Sequence, residues 1–167
     1  MSANSAAALK PSFKFSSTAR TRLRLREREV YKYYDDMGPG RGNCTWGAGI
    51  LAHRGPSTQE ELNTPVTPAA VDAEFASRVT EAEQTVRNAI THQPLTQDQY
   101  DALVSYTYNL GQRGASKALE LIDDGDFDGA VAEMKSMIRV KVKTGVKPVI
   151  AHGLVTRRAE ESAPFRK

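Results

Sequence analysis

An α+β fold, with strands and helices segregated along the chain, is predicted by three observations. Residues 30–53 are β-prone and broken by glycine. From Thr67 the apolar residues recur at spacings of three and four. Beyond Pro94 the chain reads as helices and short turns to its end. The 167 residues suffice for one domain, and a chain of this length buries enough surface to fold without a metal or a disulfide.

Taken in order, residues 1–17 are rich in Ser, Ala and Lys and are expected to form a flexible basic arm. Residues 18–29 (TARTRLRLRERE) read two ways. Leu23 and Leu25 alternate with arginines at a strand period, whereas Thr18 as an N-cap and the Arg and Leu content favour a helix. VYKYY and CTWGAGILAH are extended runs on either side of the turn MGPGRGN. Residues 54–66 are a polar loop or short helix. Thr67 is a plausible N-cap with Pro68 in the first helical position, and Val71, Phe75, Val79, Ala82, Val86 and Ile90 form one face of a helix ~36 Å long. Thr96 and Gln99 make a capping box for the next helix, which Gly111 and Gly114 should stop. Helices over 116–124 and 128–138, a basic connector over 139–150 and a last helix over 152–163 complete the chain. The expected organisation is the arm 1–17 and one domain 18–167. That domain comprises a β-containing lobe (18–66), a connecting helix (67–91) and a helical lobe (92–167).

Composition excludes several classes. No stretch approaches the apolar length of a membrane span, and the run Ala6 to Leu9 is too short for a signal core. The product is therefore expected to be made in the cytoplasm without a signal peptide. The single cysteine, Cys44, cannot form an internal disulfide. The three histidines (His53, His92, His152) lie far apart, so residue spacing points away from a structural zinc site, and no metal or cofactor is expected. Net charge is +3, but residues 1–34 carry +6 and the remainder −3. The basic excess could steer the chain to a polyanion, including an anionic cell envelope, or be a solvated arm. No nucleic-acid-binding motif accompanies it.

The polar groups a hydrolase needs are concentrated near the strands. Glu27 stands where the first element ends, Asp36 nine residues later before the glycine-rich turn, and Thr45 on the next run. Two carboxyls flanking a groove are the minimum for glycoside hydrolysis: one gives a proton to the leaving oxygen, the other stays charged. Asp35, beside Asp36, leaves the choice of second acid open.

Four stretches carry a resemblance. In EREVYKYYDD, Glu27 precedes Tyr34 by seven residues and Asp36 by nine. Thr45-Trp46-Gly47-Ala48-Gly49 follows. Next come Leu95 to Gly111 (LTQDQYDALVSYTYNLG) and Gly153 to Glu160 (GLVTRRAE). In this order they resemble the phage-type lysozymes, the endolysin muramidases of glycoside hydrolase family 24. The resemblance runs over residues 27–165. It implies a lysozyme-like fold: a small β-hairpin-containing N-terminal lobe, joined by a long helix to a mostly helical C-terminal lobe. It implies Glu27 as general acid, Asp36 as the charged carboxylate and Thr45 as a holder of the attacking water, with inversion at the sugar. It matches Arg157 to the arginine that pairs with the catalytic Glu in the family. The implied substrate is peptidoglycan, cut between N-acetylmuramic acid and N-acetylglucosamine by a monomer that reaches the wall after holin-type release. Departures are Arg28 where the family commonly has Gly, a longer turn before Thr45, and Ile50 where a His is frequent. Asn109 and Gln112 are candidates for facing the substrate, and Trp46 for either a sugar subsite or the core. The competing readings are a toxin or effector muramidase, and a non-catalytic cell-wall or nucleic-acid binding module.

Overall fold

A computed structural model describes residues 13–27, 29–47, 49–140 and 147–166. The chain divides into two compact units, residues 20–78 and residues 1–19 with 79–167. The long helix therefore belongs partly to each.

In the first unit, helix α1 (Ser17–Arg26) resolves the ambiguity in favour of helix over residues 18–26. Its cap is Ser16, not Thr18: the Ser16 hydroxyl accepts from the Ala19 N–H at 3.2 Å. Leu23 is buried, while Leu25 is 82% exposed, so the apparent strand alternation reflects one core residue and one surface residue on a helix. Three strands follow in the order β1 (Val30–Asp35), β2 (Cys44–Gly47) and β3 (Ile50–His53), antiparallel throughout. The second extended run is therefore a hairpin rather than one strand. The segment after it contains α2 (Gln59–Asn63), closed by a capping box between Thr58 and Glu61. The first turns of α3 (Pro68–Ala89) begin as expected, with the Thr67 hydroxyl accepting from the Ala70 N–H at 3.2 Å. Leu23, Cys44, Ile50, Val66, Val71 and Phe75 are the buried apolar residues of this unit.

The second unit holds the rest of α3, then α4 (Gln97–Asp123), α5 (Phe127–Ser136), the short pair β4 (Arg139–Val140) and β5 (Val149–Ile150), and α6 (His152–Ser162) with a closing 3-10 turn (Ala163–Phe165). The basic connector thus begins and ends in paired strand, and its residues 141–146 lie outside the described residues. Val79, Val86, Ile90, Tyr100, Leu103, Tyr106, Leu119, Ile122, Met134 and Phe165 are buried in this unit. The Thr96–Gln99 capping box is present. Gly111 stops the first helical stretch of α4 as expected: with φ 70° and ψ 173° it lies in a region that essentially only glycine occupies, and a second stretch begins at once beyond this kink. Gly114 sits inside that continuation.

The end of the N-terminal arm is not loose. Phe15 is buried and its N–H donates to Glu83 Oε1 at 2.8 Å; the Ser16 N–H and hydroxyl donate to Asp101 at 3.0 and 2.5 Å. Gln97 donates to the Lys14 carbonyl at 2.9 Å. Composition suggested an arm over 1–17, but two carboxylates on α3 and α4 collect the backbone donors of 15 and 16. Residues 1–12 lie outside the described residues.

Asp123 ties the end of α4 to the loop after α3. It accepts from the N–H groups of Thr91 and His92 at 2.6 and 2.7 Å and from His92 Nδ1 at 2.7 Å. Burial alone would raise this carboxyl, but the bonds from His92 and Thr91 outweigh it and hold it at about 2 against an ordinary 3.8. A depressed acid stabilises the fold above its unfolded value, and the contribution disappears as pH falls towards the folded one. Asp123→Asn should therefore cost about 2 kcal/mol near neutrality. Urea unfolding of the two proteins should show the gap closing as pH is lowered from 5 to 2; a gap constant over that range contradicts this account.

Candidate active site

Four of the residues singled out by sequence, Glu27, Asp36, Thr45 and Trp46, lie in the first unit. Glu27 follows directly on α1, and its N–H continues the helical bonding to the Leu23 carbonyl at 3.2 Å. Because Leu23 is buried, the last turn of α1 is anchored and the half-buried Glu27 takes its position from it.

Asp36 opens the turn between β1 and β2. Its carboxylate accepts from the Asn43 N–H at 2.8 Å and from Asn43 Nδ2 at 3.2 Å, while its own N–H donates to the Asn43 carbonyl at 3.1 Å. The Thr45 hydroxyl donates to that same carbonyl at 3.2 Å. Asn43 Oδ1 accepts from the Gly55 N–H at 3.3 Å. Asp36 and Thr45 are thus brought together through Asn43, a residue sequence reasoning missed. Its one visible signal was an Asn closing a glycine-rich turn, a residue type whose side chain readily bonds nearby backbone. Tyr34 pairs with Thr45 across β1 and β2. Burial raises the Tyr34 phenol and the Asp36 charge adds to it, against a bond from the Gly49 backbone, so this ring stays neutral.

The structure separates the two neighbouring acids. Asp35 is spent on the loops: it accepts from the N–H groups of Ser57 and Gly40, each at 2.6 Å. The Ser57 bonds, then Gly40, hold its carboxyl below the usual range. Asp36 is exposed, and beyond β1 it is the acid whose partners also hold Thr45. Thr45 is buried, and Trp46 beside it is half-buried on the same strand.

The remaining predicted residues lie in the second unit. Arg157 and Arg158 are buried on α6 with Glu161. Arg157 Nε donates to Glu161 Oε1 at 2.9 Å and its Nη2 to the Ser105 carbonyl at 3.2 Å. Arg158 donates to Glu161 Oε2, to Asn109 Oδ1 and, at 3.1 Å, to the Met137 carbonyl, with its guanidinium 4.9 Å from the Tyr106 ring centre. Asn109 is thereby joined to the α6 cluster. Gln112 is exposed, one residue past the break at Gly111.

Residues 27–161 match the family model for phage lysozyme. The chain belongs to that family. The matched span of this phage lysozyme family member starts at Glu27 and contains every candidate site residue named above. An endolysin from Acyrthosiphon pisum secondary endosymbiont phage 1 is 39% identical over 74 residues, 43% of this chain and 49% of that protein; the chain spans about half the length of this curated relative. Among solved structures, the endolysin from Escherichia coli O157:H7 phage FAHEc1 is 24% identical over 93% of this chain and 95% of its own, with a TM-score of 0.72. The muramidase domain of SpmX from Asticaccaulis excentricus is 24% identical over 92% and 98%, with a TM-score of 0.69. These two likenesses are of fold: among the described residues, the mixed architecture of six α-helices and a small antiparallel sheet is lysozyme-like.

The turn depends on Gly42. Its φ is +83°, and a Cβ there would stand 2.0 Å from Asp36 Oδ1. Gly42→Ala should therefore force the carboxylate away from Asn43 and cost about 1–3 kcal/mol. Urea unfolding checks this; a loss below about 0.5 kcal/mol, the range of a neutral surface change, contradicts it.

Proposed function

We propose that the chain is an N-acetylmuramidase that hydrolyses the β-1,4 bond between N-acetylmuramic acid and N-acetylglucosamine in bacterial peptidoglycan, and that it serves as a phage or prophage endolysin. The observation that carries this reading is the Asp36–Asn43–Thr45 assembly inside the span that matches phage lysozyme, nine residues after Glu27.

The proposed chemistry follows from those groups. Glu27, protonated, gives its proton to the glycosidic oxygen as the bond to the anomeric carbon breaks. The charge developing on the sugar is stabilised by Asp36. The Thr45 hydroxyl has its proton committed to the Asn43 carbonyl, so its oxygen is left to accept from a water molecule and aim it. That water adds to the opposite face of the sugar and passes a proton to Asp36. Inversion requires the carboxyls to be ~6.5–9.5 Å apart to admit the water. Arg157 is proposed in support, with Asn109 held beside it through Arg158 and Glu161. No cofactor is required by this scheme. The endolysin role places the substrate in the cell wall and calls for a separate route of release from the cytoplasm, of the holin type.

Glu27→Gln should slow clearing of a peptidoglycan suspension by ~10²–10⁴-fold while leaving the circular dichroism spectrum unchanged. Clearing at the wild-type rate removes the assignment. The digest should carry muramic acid at its new reducing ends. Glucosamine ends, or freed peptide amines, would identify a different bond. Proton NMR of the first anomer released should show inversion.

A further inference from the structure

One group of side chains near β2 takes no part in the chemistry above. Cys44 on β2 and His53 on β3 face each other across the antiparallel pair, and opposite residues in such a pair share a face of the sheet. Glu61, in the first turn of α2, reaches the same place. One donor atom from each of Cys44, His53 and Glu61 lies within 4.8 Å of the others, and among the described residues this is the one such trio.

The hydrogen bonds constrain what lies between them. His53 Nδ1 faces the Arg54 carbonyl at 3.1 Å, and a carbonyl can only accept, so Nδ1 carries a proton. His53 Nε2 then points at Glu61 Oε1, 2.8 Å away. Two acceptors cannot share that line, so at 2.8 Å a proton sits on it, and a metal ion would take its place only by displacing that proton and widening the gap. The other carboxylate oxygen, Glu61 Oε2, is occupied by the Thr58 N–H and hydroxyl at 2.7 and 2.9 Å, which orients Oε1 towards the ring. A ring N–H held by a backbone carbonyl and a ligand carboxylate held by further donors are the outer contacts that metal-binding His and Glu ordinarily have. The third donor is the fully buried Cys44 thiol.

We propose that Cys44, His53 and Glu61 form a three-ligand site for a divalent ion of the Zn2+ class. Sulfur, nitrogen and oxygen donors together suit zinc rather than magnesium or calcium, which take oxygen. Around a zinc ion with bonds of ~2.0–2.3 Å, tetrahedral donors stand ~3.3–3.7 Å apart. The ring and the carboxylate must open slightly and the sulfur draw in. His53 and Glu61 side chains remain 41% and 28% exposed, leaving an entry path and a fourth position for water. The ion would clasp β2, β3 and α2 together. Counting residues along the chain does not reveal the trio, because strand pairing brings Cys44 to His53 and the third donor is a glutamate.

Binding is read without substrate, so the test is independent of the muramidase reading. The full chain, reduced and stripped with a chelator, is titrated with Co2+ and then Zn2+. One equivalent of Co2+ should produce a thiolate-to-cobalt charge-transfer band with the visible bands of a tetrahedral ion, and Zn2+ should bleach both. Cys44→Ser should abolish the charge-transfer band. Glu61→Gln retains a side chain able to close the capping box, so it keeps the fold. It should weaken Zn2+ binding by at least ~10-fold in calorimetry, the loss that even outer contacts can cause. Absence of the band from the wild type, its survival in Cys44→Ser, or unchanged Zn2+ affinity in Glu61→Gln would overturn the site and leave a His53–Glu61 ion pair beside a core thiol.

Discussion

The chemistry proposed for the first unit depends on the saturation of one asparagine. All four polar groups of Asn43 are used: its N–H and Nδ2 on the Asp36 carboxylate, its carbonyl by the Asp36 N–H and the Thr45 hydroxyl, its Oδ1 by Gly55. A carboxylate at the mouth of a turn is normally free to rotate. Here two amide donors fix it, and the same residue fixes the hydroxyl that follows on β2. Each such bond is worth only about 0.5–1.5 kcal/mol net. Their combined value is geometric: the Asn43 main chain holds both Asp36 and Thr45, and its side chain adds a second bond to Asp36 and one to Gly55 in the β3–α2 loop. The long turn that departs from the family pattern makes this arrangement achievable, because Gly42 lets the backbone come up against the carboxylate.

The second unit solves a harder electrostatic problem. Arg158 is completely buried and Arg157 nearly so, and a charge taken from water must recover several kcal/mol through partners. Glu161 supplies one oxygen to each guanidinium, and Ser105, Asn109, Met137 and the Tyr106 ring complete the shell. The result pins α6 to α4 by directional bonds instead of by apolar contact alone. Breaking a buried pair of this kind typically costs about 3–5 kcal/mol, because the surviving charge stays in place without its partner. The family resemblance drew attention to Arg157. Arg158 is the more deeply held of the two, and two adjacent arginines carry no label saying which will be buried.

Legibility in the sequence followed the range of the interaction. Capping boxes and proline starts act within four residues, so Thr67, Pro68 and the Thr96–Gln99 pair could be read directly. The Ser16 cap was missed because Phe15 and Ser16 are ordered by Glu83 and Asp101, dozens of residues away. Residues 18–29 could not be decided from period alone. The deciding fact is tertiary: Leu23 enters a core that Leu25 does not. Of the proposed site, Glu27, Asp36 and Thr45 are the residues to which motif order points. Asn43 and Gly42 are not among them, since their importance lies in a closed turn whose partners are defined only once the strands pair. What distinguishes Asp35 from Asp36 was likewise not legible, because the Ser57 and Gly40 amides that occupy Asp35 reach it only in the folded chain.

The charge partition shows the same dependence on partners. The first 34 residues carry an excess of +6, which invites a reading as a polyanion-binding arm. Binding phosphates requires cations free to displace counterions. Within α1, Arg24 is bonded to Asp72 and Glu29, and the guanidinium groups of Arg20 and Arg24 each lie 5.4 Å from the Phe75 ring centre. An arginine stacked on an aromatic face and paired with carboxylates is already a structural element of the helix junction. The basic excess is therefore spent in part on seating α1 against the start of α3, which is what fixes the position of Glu27 at its end. Positive charge that looked like an address for an external partner serves, at these two positions, to hold in place the residue proposed to deliver the proton.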